Sequence, residues 1–199
     1  MKKTMLYAHN GYQVAKTDVL RTPTPCTLVI SLFAMCAVAG QLCAQSSSDP
    51  LSTTAKGFNA MVTNNILKAA QEMPEENYSF KPTPEVRSFG QIVAHVADAQ
   101  YEFCGPVLAD GTKPPDIEKN KTSKADIIQG LKDGFAYCQK AYDGLTDAHA
   151  SETVKFFNRQ LPKLSVLSIN TAHNDEHYGN IVTYLRLKGL VPPSSQTSK

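Results

Sequence analysis

The 199-residue chain has no tryptophan, only five cysteines and little excess of charge of either sign. Twenty lysines and arginines stand against 18 aspartates and glutamates, which gives a formal net charge of +2. Nucleic-acid binding through phosphate groups needs clustered basic residues. The composition therefore argues against a nucleic-acid partner, and the length favours one domain with an appended segment.

The chain also lacks a long hydrophobic run. Its most apolar stretch, residues 26–40 (CTLVISLFAMCAVAG), is shorter than the roughly 20 apolar residues that a transmembrane helix needs. Basic residues precede this stretch and small residues follow it, a pattern typical of a secretory signal peptide. We expect residues 1–44 to be cleaved after Ala44, which would leave a secreted or periplasmic protein with no stable membrane insertion. The alternative is an uncleaved N-terminal anchor.

Cleavage after Ala44 would remove three of the five cysteines and most of the basic excess. The mature chain would have 155 residues, with 16 lysines and arginines against 17 aspartates and glutamates. Cys104 and Cys138 remain, in a compartment expected to be oxidising. They form either one disulfide or two small buried thiols, and the sequence does not decide between these.

Apolar residues at three- and four-residue steps indicate four amphipathic helices between residues 53 and 194. Residues 45–52 form a polar linker before them, and residues 195–199 form a tail. Four long helices in a chain of this length predict an all-α protein with the architecture of a four-helix bundle, whose sites are built from inward side chains.

The first two helices are marked by clear signals. The first spans about residues 53–73, and its predicted buried stripe comprises Phe58, Met61, Val62, Ile66, Ala69, Ala70 and Met73. The second begins at Ser88, where Gln91 three residues later completes a capping box. We expect it to end near Cys104, because Gly105 and Pro106 weaken a helix.

The second half of the chain contains two further predicted helices. Residues 109–121 are predicted to be a polar loop, and the third helix runs from about Ser123 to Gly144. Residues 146–163 are irregular, with a stretch that could be extended. The fourth helix runs from about residue 164 to Gly189, a residue suited to end a helix. Its predicted buried stripe comprises Val166, Ile169, His173, His177, Ile181 and Tyr184.

Three histidines lie on predicted inward stripes. His173 and His177 are four residues apart, so both lie on one face of the fourth helix, and His95 lies on the stripe of the second. Imidazole is a common metal ligand, and three histidines with one open position form a known catalytic zinc arrangement. Imidazole also suits nickel, iron and copper, so the ligand type alone does not name the ion. We expect a divalent ion, zinc or nickel first, with iron or manganese as alternatives. The alternative is three ordinary core or surface histidines.

Other metal and cofactor motifs of helical proteins are absent. No glutamate precedes any of the three histidines by three residues, as the di-iron bundles require. The chain has no C-x-x-C-H haem motif, and its HNDEH differs from the H-E-x-x-H of zinc proteases. Asp98, Glu176 and Asn180 each follow a histidine by three residues and could orient its ring, although Asp98 and Glu176 could equally be solvated helix charges.

Two segments of the chain resemble the signature regions of the DinB-like family. They are PTPEVRSFGQIVAHVADAQYEFC and HNDEHYGNIVTYLRLKGLVPPSS, and the resemblance extends over about residues 53–194. It implies a four-helix bundle that holds a divalent metal ion through one histidine of the second helix and two of the last. The matching positions are His95, His173 and His177. Some relatives are transferases or isomerases that use thiols such as bacillithiol or mycothiol.

Three functions follow as hypotheses. The first is a metal-dependent enzyme, a thiol transferase or a hydrolase, in which an open metal position activates a thiol or water against a small-molecule substrate. The second is a non-catalytic periplasmic metal-binding bundle, and a helical interaction module without metal is a third. The sequence identifies no catalytic residue, and exposed apolar residues on the first helix would suit a homodimer.

Overall fold

Four long helices form the fold. The computed structural model describes residues 49–196, whose helices are α1 (Pro50–Glu72), α2 (Phe89–Leu108), the short α3 (Ile117–Asn120), α4 (Lys124–Gly144) and α5 (Lys163–Leu187). α2 packs against α4 and α5, and α1 closes the bundle against the same two helices. The predicted helical bundle is confirmed over these residues. The predicted signal peptide, residues 1–44, lies outside them.

None of the helices in the described part is long and apolar enough to cross a membrane. The stretch that the sequence left unassigned contains a short β-hairpin, β1 (Thr153–Phe156) and β2 (Arg159–Pro162), paired antiparallel with Phe156 opposite Arg159. Single 3₁₀ turns cover Glu75–Asn77, Asp147–His149 and Pro193–Ser195. The hairpin contacts both α2 and α5.

The start of α2 follows the capping signal in the sequence. The Ser88 hydroxyl accepts a hydrogen bond from the Gln91 amide at 3.2 Å, and the Gln91 side chain accepts one from the Ser88 amide at 2.9 Å. The predicted capping box is therefore confirmed. It satisfies two amides that a helix terminus otherwise leaves without a partner.

Two predicted boundaries were wrong. α2 continues through Pro106 to Leu108, because a proline so close to the last turn removes only one helical hydrogen bond, while Val107 and Leu108 pack against the core near Cys104. The predicted polar loop at residues 109–121 contains α3, whose first amides bond to a carboxylate of α2 and whose Ile117 is buried.

Two of the predicted buried stripes were partly wrong. Phe58 and Met61 of α1 are exposed, and so is Ile169 of α5. The positions of α5 that face the core of the bundle include Asn170 and Asn174, neither of which has exposed surface. Because polar residues occupy these buried positions, the apolar pattern of the sequence did not identify them as part of the inward face of α5.

The buried amides of α5 bond to other helices. Gln100 of α2 donates to the Asn174 side chain at 2.9 Å and accepts from the Asn170 side chain at 3.3 Å. Asn174 also donates to Asn59 of α1 at 3.3 Å, and Asn170 lies 3.3 Å from the Tyr142 hydroxyl of α4. Side chains from all four long helices thus meet in one buried polar layer, which favours a single register because buried polar groups need their partners.

Cys104 and Cys138 form a disulfide that joins α2 to α4, with their Cα atoms 5.2 Å apart. Of the two alternatives that the sequence left open, the structure has the disulfide. A covalent link of this kind mainly stabilises a fold by restricting the unfolded chain.

The close contact of α4 with α2 yields a stability prediction. A Cβ atom at Gly134 would lie 2.7 Å from the Ala97 carbonyl oxygen, so Gly134→Ala should reduce the free energy of unfolding by about 1–3 kcal/mol. Gly57→Ala in α1 is the matched control: no neighbouring atom lies within 4 Å of its Cβ, and alanine should raise helix stability by up to about 1 kcal/mol. Urea unfolding measures both, and equal effects would contradict the packing.

Candidate metal centre

The structure brings His95 of α2 together with His173 and His177 of α5. One ring nitrogen from each histidine lies within 4.8 Å of those of the other two. His177 is buried, and the other two are partly exposed. The sequence predicted that tertiary packing would bring these residues together, and the geometry agrees.

The two histidines of α5 face each other through equivalent atoms. Their Nε2 atoms are 3.1 Å apart, as expected for side chains one helical turn apart. Two imidazole ligands about 2.0–2.1 Å from a tetrahedral zinc ion would have their nitrogens about 3.3 Å apart. The observed separation therefore suits a shared ion.

His95 is oriented by a residue that the sequence analysis did not select. Its Nδ1 atom lies 3.2 Å from a carboxylate oxygen of Glu118 in α3. An ionised carboxylate only accepts hydrogen bonds, so this contact places the proton on Nδ1 and leaves Nε2 free to bind an ion. Glu118 also accepts a 2.8 Å hydrogen bond from Arg87 Nε. A tertiary contact of a short helix leaves little trace in sequence periodicity.

Asp98 has a different role from the predicted one. Its carboxylate accepts hydrogen bonds from the backbone amides of Ile117 at 2.8 Å and Glu118 at 2.9 Å. It therefore holds the N-terminus of α3, where backbone amides attract negative charge. Asp98 acts on His95 only through Glu118, by placing α3.

The other two predicted orienting residues have no contact of this kind. Glu176 and Asn180 are both exposed, and within the described part of the chain the buried Nδ1 atoms of His173 and His177 have no hydrogen-bond partner. A buried polar atom without a partner is costly, so each one calls for an explanation. Glu176 acts on His177 only as a nearby charge that opposes the lowering of its pKa.

Burial keeps the histidines of α5 uncharged. The pKa of His173 is lowered to about 4, chiefly by burial and to a smaller extent by the neighbouring His177, His95 and Arg87. The pKa of His177 is lowered too, chiefly by burial and then by His95. Metal ions bind the neutral imidazole, so both rings are in the binding form at neutral pH. The three nitrogens thus fit a divalent ion in position, protonation and chemical type.

The two sides of the cluster differ in character. An open cavity of about 620 Å³ borders His95 and is lined largely by charged side chains, among them Glu102, Lys113 and Glu118. Next to His173, the Phe103 ring lies 5.0 Å away between centroids. An ion held by the three histidines would have a polar side and an aromatic side.

This helical architecture matches a known class of proteins. The sequence profile of the DinB superfamily matches residues 60–181. The chain therefore belongs to the DinB superfamily.

Individual relatives agree with this assignment. The uncharacterized protein YjoA of Bacillus subtilis (strain 168) is 23% identical over 131 residues, which span 64% of this chain and 82% of YjoA. Its crystal structure superposes with a TM-score of 0.59 at 19% identity, covering 73% of this chain and 99% of that one. A DinB-like protein from Bacillus cereus ATCC 10987 gives a TM-score of 0.60 at 20% identity, covering 69% and 94%.

A more distant likeness is to an enzyme. The mycothiol-dependent maleylpyruvate isomerase superposes with a TM-score of 0.53 at 12% identity, and the match covers 67% of this chain and 65% of the isomerase. At this identity the likeness shows the fold alone.

The burial of His173 predicts how the metal-free protein titrates. The imidazole should stay neutral down to a pH of about 4, although its unfolded pKa is 6.5. Because the unfolded chain then binds more protons than the folded one, this group should reduce stability progressively as the pH falls from 6.5 to 4. NMR of imidazole-labelled, metal-free protein measures it, and a His173 midpoint near 6.5 would contradict the burial.

Proposed function

We propose that the protein is a metal-dependent enzyme that holds one divalent ion through His95, His173 and His177. The observation that carries the proposal is the convergence of three imidazole nitrogens, two of them on rings that burial keeps neutral. Imidazole ligands suit zinc and nickel, as well as iron and copper, and we propose zinc or nickel first, with iron or manganese as alternatives. Three protein ligands leave a position for a substrate, as in catalytic zinc sites.

A bound divalent ion would lower the pKa of a thiol or water molecule at the open position. The thiol or water would then be a nucleophile near neutral pH. The protein's own residues prepare the site. Glu118 keeps the proton of His95 on Nδ1, and Arg87 balances the Glu118 charge and holds its carboxylate. The Phe103 ring packs beside that of His173, with 5.0 Å between centroids. The contact with Glu118 therefore orients His95 before a substrate binds.

The reaction we propose is transfer of a thiol to an electrophilic small molecule, with hydrolysis as the alternative if water is the nucleophile. Support for thiol chemistry comes from the similar fold of the mycothiol-dependent isomerase. The cavity beside His95 offers room for a small molecule at the polar side of the cluster.

We also propose that the mature protein is secreted or periplasmic and that its signal peptide comprises residues 1–44. The disulfide between Cys104 and Cys138 supports this, because disulfides persist mainly in oxidising compartments.

The exposed Phe58 and Met61 of α1 support a homodimer, since large exposed apolar patches often mark interfaces. Cell fractionation tests the secreted or periplasmic location, and sedimentation of the purified protein tests the homodimer.

Metal content tests the proposal directly. Purified without a histidine tag, the protein should carry about one equivalent of a divalent ion, and His173→Ala and His177→Ala should each lose it. His149→Ala is the matched control, because His149 is exposed and bonds to Glu152 away from the cluster. Elemental analysis measures this.

Two results would count against the proposal. A wild-type protein that takes up no metal on reloading would mean that the histidines serve only the fold. A protein that holds metal but converts nothing in panels of thiols with electrophiles, or of esters, would favour a non-catalytic metal-binding bundle.

The contact between Glu118 and His95 makes a separate prediction. Glu118→Gln should weaken zinc binding about 10- to 100-fold, because the amide orients the imidazole less strongly than a carboxylate. Glu176→Gln, which removes an exposed carboxylate beside His177, should have a much smaller effect. Competition with a chromophoric chelator measures both affinities, and equal losses would show that Glu118 acts only through general charge.

A further inference from the structure

The tip of the β-hairpin presents an aromatic side chain, Phe157, that is largely exposed. We propose that the Phe157 ring is a substrate contact, which selects extended small molecules that end in an apolar, preferably aromatic, group. The inference rests on the proposed function, because the other end of such a molecule must be held at the histidine cluster.

The backbone at this position is unfavourable for phenylalanine. Phe157 and Asn158 form the two-residue loop between β1 and β2, and Phe157 has a φ of +48°. When only the first position of a two-residue hairpin loop has positive φ, as here, glycine is strongly preferred at that position. A bulky side chain in this region is strained and calls for an explanation.

The side chain itself adds little to the folded structure. Phe157 is 69% exposed, more than any other large hydrophobic residue in the described part of the chain. Its ring contacts that of Phe156, with 4.5 Å between centroids. Strained backbone and an exposed aromatic ring are both unfavourable for an isolated fold, and their combination is typical of a residue kept for binding.

The hairpin lies beside the histidine cluster. Its strands contact α2 and α5, the two helices that provide the histidines. The buried Phe156 ring lies 5.4 Å from the Phe103 ring, which in turn lies 5.0 Å from the His173 ring. Phe103, Phe156 and Phe157 therefore form an aromatic row that leads from His173 to the surface.

This aromatic row defines the class of ligand. Phe103 and Phe156 are buried, so Phe157 is the member most available to a bound molecule. Because two rings lie between Phe157 and His173, a ligand that reaches both must be extended. Aromatic pairs gain energy beyond the burial of their area, so an aromatic end group should be bound best.

The preference for an aromatic end group can be tested with hydroxamates in the cobalt-loaded protein. Hydroxamates bind metal ions at open positions, and their binding changes the visible spectrum of cobalt. The wild type should prefer 6-phenylhexanohydroxamate to acetohydroxamate. In Phe157→Gly this preference should fall about three- to tenfold, the size of one lost aromatic contact, and Phe157→Tyr should keep it. Ala109→Gly is the matched control, because Ala109 is another exposed residue with positive φ, +54°, outside the aromatic row.

Thermal unfolding of the metal-free variants gives a second, independent readout. Phe157→Gly should be at least as stable as the wild type, as Ala109→Gly should be, because glycine suits positive φ. A clear drop in the unfolding temperature for Phe157→Gly would show that the ring is structural and overturn the inference.

The spectral results separate the two proposals. A wild-type spectrum that neither hydroxamate changes would overturn the proposed function, and the inference with it. A preference for the phenyl ligand that Phe157→Gly leaves intact would overturn the inference alone.

Discussion

The hydrogen bonds of Gln100 to Asn174 and Asn170 hold α2 and α5 in one register, and the histidine cluster depends on that register. All three amides are fully buried, so a shift of one helix along the other would leave several polar groups without partners. Such a shift would cost more free energy than a comparable shift between apolar surfaces. The same register places His95 opposite His173 and His177. The polar layer therefore favours one alignment of the two helices more strongly than an apolar interface would.

A second chain of contacts starts from Asp98 and reaches the cluster from outside the bundle. Asp98 holds the first amides of α3, α3 presents Glu118, and Glu118 orients His95. Arg87 pairs with Glu118, which reduces the cost of a partly buried carboxylate. The His95 ring is thus positioned by a helix of only four residues, which is held by the Asp98 carboxylate and by the buried Ile117. His173 and His177 need no such support, because the helix itself sets their spacing.

Much of this could be predicted from the sequence, for identifiable reasons. The capping box at Ser88 and the four-residue spacing of His173 and His177 are local features, so sequence alone determined them. The exposure of Phe58 and Met61 was missed, because periodicity does not tell which of two adjacent helix faces the neighbours will cover. The inward face of α5 was misplaced where Asn170 and Asn174 occupy it. Glu118 was missed entirely, because its contact with His95 joins residues 23 positions apart through a helix too short to show a period.

X-ray absorption spectroscopy at the edge of the bound metal tests the central claim most directly. We expect three imidazole nitrogens at about 2.0–2.1 Å, as in three-histidine zinc sites, and a further light ligand that added thiol replaces with sulfur. His95→Ala should reduce the imidazole count by one. A shell with fewer than three imidazoles in the wild type, or one closed by four protein ligands and unaffected by thiol, would contradict the account.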